Sequence, residues 1–421
     1  MNSISDIGLH YYTLPSGIRV LHRAAAGNIA HLAFIFNIGS RDELPGEHGM
    51  AHYIEHCLFK GTRHRRAYHV LSRLEDVGGE LNAFTSKEDI CIHGSFLPEY
   101  LGRAMELFTD IAFGSVYPEK EMEKEKDVIA DEINSYRESP ADLIFEDIEQ
   151  LVFPSNPLGR TILGTEETIA SFTRDGVISF LRRNFSPERM IVCVSGDVPG
   201  VKVRDMVLKY TEPYSCILER EHFLLRREKP SGYTPVEQVR KMDTHQSHII
   251  MAAPSFDADD DRAVAMSLLT NLLGGPSMSA RLNLTLRERY ALAYSVEAFY
   301  TGYSDTGISG VYVATDGQTA ARARELALKE LKTLREKPLG TLQLHKAKMQ
   351  MTGQLAIASE NNLNQLLATG KSYLMTGRAD TFAQMAEKIQ AVTAGDIMDI
   401  ANRVYAQDNL TTLVFESDKD N

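Results

Sequence analysis

Apolar and polar positions in the first third of the chain alternate in blocks that predict strand, helix and strand. Ile18–Leu21 follows the turn Pro15-Ser16-Gly17, and the run from His31 to Ile38 is rich in β-formers and ends at Gly39. Beyond Pro45-Gly46 the periodicity predicts a helix from about Glu47 to Lys60, stopped by Gly61. A second helix is expected over Ala67–Val77, ending at Gly78-Gly79. A strand of mixed alternation over Glu80–Phe96 then leads into a helix over Glu99–Ala112.

The same order recurs later. His248–Ala253 reads as a strand, Asp260–Leu273 as a helix, and Gly274-Gly275 as its stop. The strands lie 217 positions apart (31 to 248) and the stopping glycines 213 apart (61 to 274), so the chain is expected to hold an internal duplication. The second copy has Ala265, Leu268 and Leu269 where the first has His52, Glu55 and His56. Between the copies, residues 216–235 are charged and broken by Gly and Pro, which marks a linker. The expected organisation is therefore an N-terminal domain over 1–215, a linker over 216–235 and a C-terminal domain over 236–421.

Composition narrows the function classes. The 421 residues are 43% hydrophobic and 24% charged, which suits two packed domains and excludes a disordered or collagen-like chain. A net charge of −12 leaves no basic footprint for a nucleic acid. No apolar run reaches the ~18 residues of a membrane span. The N-terminus carries neither a secretory nor a transit pattern, and the four cysteines (57, 91, 193, 216) form no CxxC pair. A cytoplasmic protein is the expectation.

The candidate chemistry lies in His52-Tyr53-Ile54-Glu55-His56. On a helix, positions i and i+4 share a face, so two imidazoles can meet one metal ion. Glu55 falls near that face, close enough to take a proton from water without being a ligand. With 13 His and 57 acidic residues in the chain, roughly 0.05 matches to His-x-x-acid-His are expected by chance. Zinc held by two imidazoles needs a third protein ligand. The helical stretch Pro118–Ile133 offers candidates: its apolar stripe is Met122, Ile129, Ile133 and Tyr136, and Glu121, Glu125 and Glu132 fall on the flank of that stripe. An inward carboxylate must be paired or coordinated. Cys57, about 100° around the helix from His56, is expected to face the core.

His52-x-x-Glu55-His56 followed by Glu132 resembles the pitrilysin-type, or insulinase-like, zinc metallopeptidases. Gly39-Ser-Arg-Asp-Glu43, Phe59-Lys-Gly-Thr62 and Gly78-Gly-Glu-Leu-Asn-Ala-Phe-Thr-Ser86 extend the likeness. It covers essentially the whole chain and is nearest to the short two-domain members, such as the mitochondrial processing peptidase β subunit and bacterial relatives of similar length. The resemblance implies one Zn2+ per chain held by His52, His56 and Glu132, with Glu55 as general base and Glu125 in support. It further implies that Asn82 and Ala83, on an edge strand, and the pair Arg287 and Tyr294 bind the peptide substrate. The expected fold is α+β, with two homologous domains, each an antiparallel sheet with helices packed on one face. The expected activity is zinc-dependent endopeptidase cleavage of peptides or unfolded segments inside a closed chamber. A homodimer with a composite active site is expected to form that chamber.

Overall fold

The computed structural model describes residues 8–214 and 226–418. The first half of the expected linker, and Cys216 within it, lie outside those residues. Two compact units are present. The first comprises the described residues up to Ile133, Thr161–Arg227 and Ala358–Thr381; the second comprises Asn134–Arg160, Glu228–Ile357 and the described residues from Phe382.

The first unit is built on a six-stranded sheet. Its strands are β1 (Leu9–Thr13), β2 (Arg19–Ala24), β3 (Ala30–Phe36), β4 (Glu80–Thr85), β5 (Ile90–Phe96) and β6 (Met190–Gly196), in the order β1-β2-β6-β3-β5-β4. The second unit has β7 (Glu237–Met242), β8 (Ser247–Ser255), β9 (Ala293–Gly302), β10 (Gly307–Thr315) and β11 (Thr411–Ser417), in the order β7-β11-β8-β10-β9. Without β1 the two orders are the same, down to one parallel pair each, β2 with β6 and β7 with β11. The two-domain α+β class therefore stands, with mixed rather than purely antiparallel sheets. The parallel pair arises because each closing strand returns to its place after a long helical excursion.

Helices cover both faces of each sheet, not one. In β3, Leu32, Phe34 and Phe36 join the main core with α1 (Met50–Leu58), α2 (Ala67–Glu75), α3 (Leu101–Gly114) and α4 (Glu119–Arg137). Ala33 and Ile35 point the other way, into a smaller cluster with Leu21, Cys91, Ile191, Cys193, Leu366 and Leu374. A strand apolar at both parities is the signature of a sheet buried on both sides. The covering helix, Asn362–Thr376, presents Leu366, Gly370 and Leu374 at i, i+4 and i+8. The second sheet repeats the arrangement. Ile249, Met251 and Ala253 face one core, while Ile250 and Ala252 face Ile144, Ile148 and Val152 of α5 (Pro140–Val152). The sheets thus fall within 1–215 and 236–421, and each is completed by a helix from the opposite side of the linker.

The single strand expected over 80–96 is instead a hairpin. Ser86 makes the reversal: its N–H donates to Asp89 O at 2.7 Å, and its hydroxyl accepts from the Glu88 and Asp89 N–H groups at 3.3 and 3.1 Å. The middle of the expected linker is also not a solvated tether. The Arg227 guanidinium is buried, 2.7 Å from Asp42 and 3.4 Å from Glu88.

Close packing on the second face gives a test. A Cβ at Gly370 would overlap Cys193 Sγ and approach Ile35 Cδ1 to 3.0 Å. Gly370→Ala would ordinarily gain ~1 kcal/mol of helix propensity. Here it is expected to destabilise the protein by ~1–3 kcal/mol through overpacking. In a Cys193→Ala background, which removes the sulfur, the loss should disappear. A Gly370→Ala protein that melts at or above the wild-type temperature would refute the contact.

Candidate metal centre

α1 starts at Met50, three residues later than expected, because Gly49 adopts φ +94° and lies against the backbone of Leu163 and Gly164, where a Cβ would meet Leu163 O at 2.5 Å. The buried Glu43 carboxylate then accepts from the Gly49 and Ala51 N–H groups at 3.1 and 3.0 Å, capping the positive end of the helix. Tyr53 points into the core and donates its hydroxyl to Met122 O at 2.8 Å, which fixes α1 against α4. With that face inward, His52, Glu55 and His56 project toward α4 and β4.

On α4 the buried positions are Met122, Glu125, Ile129 and Ile133; Tyr136, expected in the stripe, is exposed. Glu132 Oε2 lies 3.7 Å from His52 Nε2 and 3.5 Å from His56 Nε2. The ligand atoms of these three residues all fall within 4.8 Å of one another. A tetrahedral zinc site, with bonds of about 2.0–2.1 Å, separates its ligand atoms by about 3.4 Å. Burial, with the neighbouring His56 adding to it, lowers the His52 pKa to about 3. A neutral imidazole with a free lone pair is the form that binds a metal. The donor set therefore fits a divalent ion.

Glu125 sits behind His56, its Oε2 3.2 Å from Nδ1, and its other oxygen is 2.6 Å from Lys60 Nζ. Glu55 adjoins the group. Burial raises its pKa and the nearby Glu132 adds to the rise, while the Thr85 hydroxyl and His56 oppose it. Cys57 faces the core, as its position on the helix predicts, and burial pushes its thiol up to about 12. It is not a thiolate ligand.

Asn82 and Ala83 lie on β4, which forms an edge of its sheet and pairs with β5 alone among the described residues. Asn82 is exposed, and its Oδ1 accepts the Ala83 N–H at 3.1 Å. Arg287 and Tyr294 belong to the second unit. Arg287 is exposed in a π-helical turn over Asn283–Arg289, and Tyr294, 62% exposed, is the second residue of β9. The structure thus brings together His52, Glu55, His56, Glu125 and Glu132, and carries Arg287 and Tyr294 on a different unit.

Three neighbours of the group had no role assigned from sequence: Glu43, Lys60 and Thr85. Glu43 and Lys60 lie inside the stretches that carry the family likeness. Lys60 also continues the i+4 spacing from His56, which was the available signal for it. Thr85 closes the edge strand and shows no such mark.

Comparison with known proteins identifies the family. The family model described as insulinase (peptidase family M16) matches residues 19–166, and that described as peptidase M16 inactive domain matches 171–351. A Bacillus subtilis protein named an uncharacterized zinc protease is 30% identical over 407 residues, covering 96% of this chain and 98% of the relative. A Streptomyces coelicolor protein of the same description is 31% identical over 401 residues, covering 94% and 87%. Among solved structures, a Pseudomonas fluorescens chain described as a peptidase M16 inactive domain superposes with a TM-score of 0.87 at 17% identity, covering 98% of both chains. A Helicobacter pylori protease gives 0.84 at 20% identity, covering 97% of this chain and 99% of that one. At such identities the structural likeness speaks for the fold. With the sequence matches it leads to one conclusion: the chain belongs to the pitrilysin/insulinase-type peptidase family M16.

Proposed function

We propose that this chain is a zinc metalloendopeptidase with one zinc ion per chain, held by His52, His56 and Glu132. The observation that carries the reading is the convergence of two imidazoles and a distant carboxylate on one point, with Glu55 beside it. Zinc in that place supplies a Lewis acid that makes water easier to deprotonate and polarises a peptide carbonyl. Glu55 acts as the general base: its half-buried carboxylate accepts a proton from the attacking water and hands it to the departing amine. Glu125 keeps His56 turned with Nε2 forward.

The substrate is an extended peptide. β4 offers it an edge on which to add a strand, so that main-chain hydrogen bonds at Asn82 and Ala83 give affinity without demanding a sequence. The Ala83 N–H, taken by the Asn82 side chain here, can exchange that partner for a substrate carbonyl. Arg287 and Tyr294 bring a guanidinium and a phenol suited to a carbonyl oxygen as it gains charge. We assign them to the site of a second copy, in a homodimer that encloses a chamber. The free, buried thiols of Cys57, Cys91 and Cys193 suit the reducing cytoplasm.

Purified protein is expected to contain stoichiometric zinc and to cleave a quenched fluorescent peptide until a chelator removes the metal. Glu55→Gln should keep the zinc and lose ~10²–10⁴ in kcat. Cleavage at the wild-type rate by that variant would exclude Glu55 as the base.

A second experiment addresses the composite site. Arg287→Ala and Glu55→Gln chains, each inactive alone, should regain activity on mixing and exchange, to at most about a quarter of wild type when pairing is random. No recovery, with exchange demonstrated by mass, would refute the shared site.

A further inference from the structure

The two imidazoles are held by different means. The His52 ring is buried, and its Nδ1 has no hydrogen-bond partner among the described residues, so packing alone sets its orientation. The His56 side chain is partly exposed and needs something else. It has Glu125, whose Oε2 lies 3.2 Å from Nδ1 while Oε1 lies 2.6 Å from Lys60 Nζ. Ammonium, carboxylate and imidazole form a chain of three, each contact using a different oxygen of Glu125.

A carboxylate can only accept, so the hydrogen in the Glu125–His56 contact belongs to Nδ1. That leaves the lone pair on Nε2, the nitrogen 3.5 Å from Glu132. The tautomer useful to a metal therefore depends on Glu125 staying in this rotamer. Its side chain is 9% exposed. A carboxylate so placed turns toward water unless a cation holds it.

We propose that Lys60 is that cation, a positioning residue for the metal site that acts through Glu125 on His56. The inference rests on the zinc reading above. The backbone supports the assignment. Lys60 lies just past the last turn of α1, where its N–H donates to Cys57 O at 3.2 Å, and a cation is favoured at a helix C-terminus. Gly61 follows at φ +138°, a conformation reserved for glycine, and turns the chain away while the lysine stem stays against α4. Counted formally, Lys60 and one divalent ion balance the three carboxylates Glu55, Glu125 and Glu132.

A purely structural bridge between α1 and α4 would make a different prediction, and zinc affinity separates the two. Affinity is measured on the full chain by competition with a chromophoric chelator, for wild type, Lys60→Met, Glu125→Gln and the double variant. The thermal midpoint of each metal-free protein is recorded alongside. Lys60→Met is expected to weaken zinc binding ~10–100-fold, with a metal-free midpoint near that of wild type. Glu125→Gln should cause a comparable loss, and adding Lys60→Met to it should change little, because the lysine acts through that carboxylate. Zinc affinity of Lys60→Met within twofold of wild type overturns the proposal. So does an undiminished effect of Lys60→Met in the Glu125→Gln background, or a loss matched by a fall in metal-free stability. Wild-type protein that takes up no zinc overturns the metal reading itself, an outcome distinct from an unaffected lysine variant.

Discussion

A carboxylate taken out of water must be given a positive or hydrogen-donating partner, and that requirement organises the first unit. Glu88 is met by Arg41, Asp110 by Arg65, Asp89 by Lys371, Glu125 by Lys60, and Glu43 by amide groups at the start of α1. Burial alone would raise the pKa of Asp42, yet Arg227 and Arg189 hold it below its ordinary value. Glu55 and Glu132 stand apart. Both are partly buried, and among the described residues neither has a lysine or arginine within ion-pair distance. Their surroundings are two imidazoles, the Thr85 hydroxyl beside Glu55, and one another. A unit that compensates its other buried carboxylates and lets two converge on neutral imidazoles leaves room for a cation that is not a side chain.

That centre was legible because its geometry is local. The i, i+4 spacing of His52 and His56 survives any tertiary context that keeps the helix, and the stripe of α4 marked Glu125 and Glu132 as facing inward. Periodicity alone left the third ligand open, since it says which face a residue is on and not how far along the partner helix it lies. The same limit hid the exchanged helices. Ile144, Ile148 and Val152, like Leu366, Gly370 and Leu374, show that a face is buried, but nothing in such spacing names the sheet it covers. β3 did carry the sign of two buried faces, in a run apolar at both parities. The hairpin between β4 and β5 was missed for a different reason. Its turn is made by one serine side chain closing onto Asp89 and Glu88, and it lacks the Gly and Pro that punctuate most reversals.

The duplication shows how one architecture divides its tasks. The helix Ala263–Gly274 occupies in its unit the place of α1, directly after the strand pairing centrally in the sheet, and it buries Ala265, Leu268 and Leu269. Apolar side chains there need no partner, so this copy requires no counterpart to Glu43, Lys60 or Glu125. The match of residues 171–351 to a domain described as inactive agrees with that substitution. What the second copy retains is the sheet and its own edge strand, β9.

The crossed helices tie the metal centre to distant sequence. Lys371, on the helix that covers the back of the first sheet, lies 2.6 Å from Asp89 in the hairpin turn, and Arg227 reaches Asp42 and Glu88 from within the expected linker. Asp42 is the neighbour of Glu43, which caps α1, and the hairpin carries β4, whose last residue adjoins Glu55. Two contacts thus separate a residue beyond position 358 from the proposed base. Residues 358–381 belong to the first unit but follow β7–β10 of the second in the chain. The first sheet therefore stays open on one face until most of the chain has been made. The hairpin turn that ends β4 beside Glu55 is thus held, through Asp89, by a residue of the later half of the sequence.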